Sequence, residues 1–274
     1  MINRPNKLTI RPMRRLLIFS PHRVTVFAII GSAAADSNEL DSKVDYDHLK
    51  KILAQEVKQE SLNGTLFNIS LLLTKQLDNV LLSNGEDIES WVAPSDISNK
   101  FVYYLAGYDE ERRPIWVAET GNWFIKDIVQ QGHTKDFDLY LQQLAYRIIK
   151  SMADISTPED PVEEVVALLD FNNLAFEQLR HRPTVSYVLD LARDFRPVIN
   201  KYLGDSVIIN ANYATEVVLN LIRPVLGSIF ERLTIFGNSK QRWSPFIVRK
   251  FMPENLPRWY GGNTNFKPLK VYGR

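Results

Sequence analysis

A helix that is apolar around its whole circumference has three places to be: inside a core, in lipid, or against an apolar cavity. This chain carries one, and its neighbours fix the setting. Val207-Ile-Ile-Asn-Ala211 follows Gly204-Asp205 as a short apolar run, the pattern of a strand covered on both faces. Asn212 and Thr215 supply a helix start, with Glu216 in the first turn where the dipole favours an acid. Val217, Val218, Leu219, Leu221, Ile222, Val225, Leu226, Ile229 and Phe230 then coat the helix; Glu216, Asn220 and Arg223 interrupt them. Pro224 removes a hydrogen bond and kinks or ends a helix. A second strand, Arg232 to Phe236, follows. The plain reading is a central core helix. The sharper one is a kinked lid over an apolar pocket.

The rest of the chain supplies a sheet for this unit. Phe101-Val-Tyr-Tyr-Leu-Ala106 and Ile115-Trp-Val-Ala-Glu-Thr120 read as strands joined by the polar hairpin loop Gly107 to Pro114, whose charges Asp109 to Arg113 suit a solvated turn. Asp136 to Met152 is an amphipathic helix, and Val162 to Asp170 follows as a buried strand. Arg182-Pro-Thr184 opens the next helix, with Val185, Val188, Leu189, Leu191, Ala192, Phe195 and Ile199 apolar and Pro197 late in it. One more helix spans about Trp243 to Phe251, and a polar tail ends the chain. Strands alternating with helices from 101 to 262 predict an α/β fold with a mixed, largely parallel sheet. The 274 residues suffice for one large domain with a helical appendage.

Upstream, Leu49, Ile52, Leu53 and Val57, then Leu66, Ile69, Leu73, Leu77, Val80 and Leu81, predict a helical hairpin over 45–82, ended by Asn84-Gly85. Residues 1–35 contain arginines and a lysine but no acid, then the apolar run Val24 to Ile30 and an Ala33/Ala35 ending. That describes a secretory leader, with a mitochondrial presequence as rival and the cytoplasm as the alternative location. The run is too short to span a bilayer. Asn63-Gly-Thr65 and Asn68-Ile-Ser70 are glycosylation sequons, which fit export. The expected divisions are a leader (1–35), a helical segment (36–96), the α/β domain (97–262) and a tail (263–274).

Searches for chemistry come back empty. Without cysteine there is no disulfide, thiol nucleophile or thiolate zinc site, and the four histidines form no i, i+4 pair. Phosphate-binding glycine loops, a nucleophile elbow and H-E-x-x-H are all missing. A formal net charge of +1 gives no argument for nucleic acid. Asp170, at the carboxyl end of a buried strand, stands where α/β enzymes place functional acids. It also opens Asp170-Phe-Asn-Asn173, a turn of side chains that bond their own backbone, and that reading is better.

Val207-Ile-Ile-Asn-Ala211, Arg223-Pro224, Arg232-Leu-Thr-Ile-Phe-Gly237 and Leu256-Pro-Arg-Trp-Tyr-Gly-Gly262 occur in the order and spacing of the CRAL-TRIO lipid-binding family. Val166 to Ala175 resembles that family's buried strand and turn, and Gly107 to Val117 its first hairpin. The resemblance covers about residues 97 to 262. It implies a hydrophobic pocket floored by the sheet and closed by a gate helix, about Tyr213 to Leu226. On that basis Val117, Leu168, Asp170, Ile209, Tyr213, Val218, Leu221, Ile222, Val225, Ile229 and Arg232 are expected at the pocket and gate. Arg232 falls near a basic headgroup position of the phosphoinositide carriers. Those carriers have Tyr-Pro-Glu-Arg before the strand, whereas Ile199-Asn-Lys-Tyr-Leu-Gly204 stands here. This favours a neutral isoprenoid, sterol or fatty-acid-like ligand over a phosphoinositide, with another phospholipid still among the expected ligands.

Three functions follow. The first is a monomeric, cofactor-free carrier that touches a membrane transiently to exchange its ligand. The second is a protein-interaction module on the same fold, its pocket collapsed by Trp116, Trp123 and Phe171. The third, a lipid-ester hydrolase, has no nucleophile–base pair behind it.

Overall fold

The computed structural model describes residues 77–273, residue 79 excepted, all inside one compact unit, Lys43–Arg274. The expected leader, the sequons Asn63 and Asn68 and most of the helical hairpin lie outside the described residues.

A single turn, α1 (Ser95–Ser98), precedes a hairpin of β1 (Tyr103–Tyr108) and β2 (Pro114–Ala118). A 3-10 turn, Thr120–Asn122, leads into α2 (Ile125–Gln131) and α3 (Thr134–Ala153). Then come β3 (Val165–Asp170), the short α4 (Glu177–Arg180), α5 (Arg182–Tyr202) and β4 (Leu203–Ala211). The gate candidate is α6 (Tyr213–Leu226), continued by 3-10 turns over Gly227–Arg232. β5 (Leu233–Gly237), α7 (Lys240–Phe251) and β6 (Lys270–Tyr272) complete the order.

The strands form one sheet in the order β5-β4-β3-β2-β1-β6. β2 to β5 are parallel, and β1 runs antiparallel to both β2 and β6. Alternate side chains go to opposite faces, and both faces are covered. On one face Tyr103, Leu105, Trp116, Ala118 and Val165 pack with Phe137, Tyr140 and Ile149 of α3 and Val198 and Tyr202 of α5. On the other, Ile115, Val117, Val166, Leu168, Val207 and Ile209 pack beneath Trp243, Ile247 and Phe251 of α7, with Leu256 and Tyr260.

Three segments differ from expectation. The described residues between 77 and 82 are not helical: Leu81 makes an antiparallel bridge with Asp87 around a turn that includes Gly85 at φ +87°. The reason is a period of two, since Val80 and Leu82 are buried while Leu81 between them is exposed. Buried Gln143 of α3 sews the following loop down, its Nε2 donating to the carbonyls of Ile88 and Trp91 at 2.8 and 2.9 Å. The polar tail supplies β6, where Tyr272 stacks on Tyr103 and Trp116 and lies under the Arg147 guanidinium. In the first hairpin Asp109 is not solvated but buried. Its carboxylate accepts from the backbone N–H of Glu111 and Arg113 and pairs with the Arg113 side chain.

Burial also sets the alkaline limit of the fold. It pushes the phenols of Tyr103, Tyr140, Tyr187 and Tyr260 up, and nearby carboxylates add to it: Asp138 beside Tyr187, Asp170 beside Tyr260. Each folded pKa lies above the unfolded value of about 10, so this stability is complete below that pH and is lost as pH rises past it. In an alkaline titration these four phenols should ionise together with the loss of near-ultraviolet dichroism. Full phenolate absorbance near pH ~10 with native dichroism would refute this.

Candidate functional site

The loops beyond the carboxyl ends of β2, β3 and β4 converge, which is where open parallel sheets place their ligand crevices. They enclose a cavity of about 180 Å³. Thr120, Trp123 and Ile125 come from the segment after β2, and Phe171, Leu174, Gln178 and Leu179 from the segment after β3 and α4. Val185, Val188 and Leu189, with Thr184, form the α5 wall, and Val218, Leu221 and Ile222 the α6 wall. Among the described residues no charged side chain lines it.

The turns that carry the walls are tightly joined. Gly121 sits so close to the turn after β3 that a Cβ on it would stand 1.8 Å from the Asn172 carbonyl oxygen. Thr120 Oγ1 donates to the Asp170 carbonyl at 3.1 Å. Asn212 caps α6, its side-chain oxygen accepting from Thr215 N–H at 3.0 Å in a reciprocal capping box. Its Nδ2 also donates to the Leu174 carbonyl at 3.0 Å, fastening the start of α6 to the cavity wall.

Pro224 lies in the last turn of α6 and Gly227 (φ +58°) just past it, so the pair ends the helix rather than bending its middle. Nor is α6 buried all round, since Asn220, Arg223 and Pro224 face solvent. Its apolar excess goes to two tasks. Val217 and Leu221 pack with Val185 and Leu189 of α5, while Leu219 packs with Ile208 and Ala211 of β4. Half-buried Val218 and Ile222 face the cavity.

Of the residues expected at the pocket, Val218, Leu221 and Ile222 line it. Val117, Leu168 and Ile209 do not: they point from the opposite face of the sheet into the core beneath α7. A strand covered on both faces shows no alternation in its sequence, so its parity cannot be assigned, and a slip of one residue moves every side chain across the sheet. Tyr213, half exposed, stacks near Phe176 outside the cavity. Val225 packs at the edge of the α5–α6 cluster, and Ile229 is buried in the turn after α6. Arg232 does not line this cavity: its Nη1 donates to the carbonyls of Asn200 and Leu203 at 2.9 and 2.6 Å, closing the end of α5. Trp123 and Phe171 border the space without filling it, and Trp116 lies elsewhere, bonded to Ser151. The α5 wall went unassigned, although Val185, Val188 and Leu189 sit at helical spacing.

Asp170 is a structural hub beside the cavity. Its Oδ1 accepts from Asn172 N–H at 2.9 Å and Asn210 Nδ2 at 2.8 Å, and its Oδ2 from the Tyr260 hydroxyl at 2.8 Å. Asn210 adopts φ +56° at the β4 irregularity, and its Oδ1 accepts from Trp243 Nε1 at 3.2 Å. Every oxygen of Asp170 is therefore committed to holding β4, α7 and the 256–260 segment together. Among the described residues no cluster of three or more metal-ligating side chains occurs, and no helix is long and apolar enough to cross a membrane.

The parallel strands of a mixed sheet thus end at a largely apolar cavity bordered by α6, the kind of concavity in which apolar molecules are held. The chain belongs to the CRAL/TRIO domain family, whose model matches residues 98–262, more than half of its length. Members of this family generally bind lipids or other small hydrophobic molecules and are typically non-catalytic. Among solved structures the chain is similar to the crystal structure of Sfh5. Identity is 12%, 92% of each chain is covered, and the TM-score is 0.46.

Proposed function

We propose that this protein takes up a hydrophobic small molecule or lipid into the cavity behind α6 and passes it between membranes without catalysis. The observation that carries this is the wall of the cavity, predominantly apolar and, among the described residues, free of charged side chains. As it stands, about 180 Å³ is close to the ~150 Å³ of an engineered apolar cavity that holds a single benzene ring. A longer chain therefore requires α6 to move outward.

The energetics favour such a moving wall. Each methylene taken from water into the cavity contributes about 0.8 kcal/mol, but a bilayer interior offers nearly the same. Exchange with a membrane is thus close to balanced, and a wall that opens on lipid contact does more for transfer than a deeper well. The orphan acids and bases of a hydrolase find no counterpart at the cavity, where Asp170 is engaged in three hydrogen bonds.

The test is native mass spectrometry of the protein purified from a eukaryotic host, followed by lipid analysis of what it releases. One apolar molecule per chain is the expected result. A bare chain that also fails to load from vesicles would overturn the carrier reading and leave the interaction module on the same fold. The mass of the same species tests whether residues 1–35 are an export leader that is removed and whether Asn63 and Asn68 carry glycans.

A further inference from the structure

We infer that the protein docks on an anionic lipid bilayer through the first turns of α7 and the neighbouring Arg258-Trp259, with the carboxyl edge of the sheet against the membrane. The choice of a bilayer rests on the carrier reading; the surface itself is defined by charge and exposure.

Charge is unevenly spread along this chain. Its 33 Lys and Arg nearly balance its 32 Asp and Glu, yet from Lys240 onward there are eight basic residues and one acid, Glu254. α7 and the segment after it cover the sheet face opposite α5 and α6, so most of this excess lies on one side of the molecule. Part of it is neutralised in the last turn of α7. Lys250 pairs with Asp205 at 2.8 Å, and Arg249 shares a recess with Glu110 and Glu111.

The first turns of α7 are different. The helix starts just beyond β5, at the carboxyl edge, and Trp243 Nε1 pins it there by donating to Asn210 Oδ1 near the end of β4. Ser244 Oγ donates to the Tyr260 carbonyl at 3.1 Å, and the Tyr260 hydroxyl donates to Asp170 at the end of β3. Arg258 and Trp259 therefore stand beside these turns. Lys240, Arg242 and Arg258 are exposed and make no ion pair among the described residues. The carboxylates that follow β2, β3 and β4 do not cancel them. Asp170 and Glu177 are engaged by Tyr260 and Lys126, and Glu119 accepts from Asn122. Asp127 and Glu216 lie in the first turns of α2 and α6, where the helix dipole offsets them.

Aromatic side chains stand out at the same edge. Trp259 is 59% exposed, Tyr213 at the start of α6 49%, and Phe124 just before α2 41%. Three such residues on three separate segments are reached together by a flat partner. An anionic bilayer meets both demands: its surface potential attracts lysine and arginine, and its interface takes aromatic rings. Docking this way also sets the start of α6, and with it one wall of the cavity, against lipid.

Cosedimentation of the full chain with vesicles of phosphatidylcholine, with or without phosphatidylserine, tests this. Affinity should be at least about tenfold higher with phosphatidylserine and should fall as salt rises. Arg242→Glu combined with Arg258→Glu should weaken it about tenfold or more, and Trp259→Ala about threefold. Lys150→Glu combined with Arg196→Glu changes net charge equally, on the later turns of α3 and α5, and should keep binding within about twofold. Thermal unfolding checks that each variant is folded. If the two charge pairs bind alike, or wild type ignores phosphatidylserine, the inference fails, and a ligand recovered by mass spectrometry would leave the carrier reading standing. Retention on heparin without binding to vesicles would assign the surface to another polyanion and overturn the bilayer. Docking as expected by a chain that never carries ligand would sink the carrier reading alone.

Discussion

Val218→Trp should lower ligand loading from vesicles by at least about tenfold while keeping the chain folded. Val218 is half-buried on α6 and faces the cavity, so a larger side chain has empty space to enter. Overpacking a filled core costs about 1–3 kcal/mol, but here the indole displaces ligand rather than neighbours. Val225→Trp on the same helix is the control, because Val225 lies outside the lining. The measurement is transfer of a fluorescent lipid from donor vesicles, with thermal unfolding followed in parallel. Equal transfer by both variants would remove α6 from the loading path. Placing a charge at Leu221 is the poorer experiment. That side chain is packed among Val185, Leu189 and Val217, where an unpaired carboxylate unfolds the α5–α6 contact and reports nothing about loading.

The second large effect concerns Asp170. Asp170→Ala should cost roughly 3–5 kcal/mol of stability, because it strands the Tyr260 hydroxyl, the Asn210 amide and the Asn172 N–H at once. Asp170→Asn keeps an acceptor for Asn172 and Asn210 and an amide that donates to the Tyr260 oxygen, so it should recover most of that loss. Denaturant titration separates the two variants by their midpoints. The same pair tests the hydrolase reading, since a catalytic carboxylate would leave Asp170→Asn folded but without turnover of a lipid ester. If Asp170→Ala unfolds at the wild-type midpoint, the hub contributes nothing.

Both predictions begin in features that were legible before any coordinates. The capping residues Asn212 and Thr215, the apolar coat of α6, the hairpin of β1 and β2 and the strand-helix alternation all declare themselves through local periodicity or local hydrogen bonding. The turn character of Asp170-Phe-Asn-Asn173 was legible too, and the carboxylate does bond the backbone of Asn172. What local pattern cannot carry is the choice between the faces of a doubly covered sheet. Val117, Leu168 and Ile209 were therefore placed in the pocket, and they belong beneath α7. Nor can it carry convergence. Trp123 comes beside Phe171 and Gln178 because β2 and β3 end at the same edge, and the separation in sequence conceals it. The strand at 270–272 is hidden for a related reason: an edge strand of three residues has too few positions to show alternation.

The contact at Gly121 has a mechanical consequence. Backbone meets backbone there, and Thr120 is bonded to the same turn, so the two loops that follow β2 and β3 behave as one rigid jaw. A jaw without slack cannot widen by rotamer changes. The compliance of the mouth then falls to the opposing side of α5 and α6, which pack through apolar side chains and are tied to the wall at the start of α6 by the Asn212–Leu174 hydrogen bond. Opening would have to part Val185 and Leu189 from Val217 and Leu221, lift Leu219 from β4 and break the Asn212–Leu174 bond. The fixed side would keep Trp123, Phe171 and Leu174 in place whatever the length of the guest.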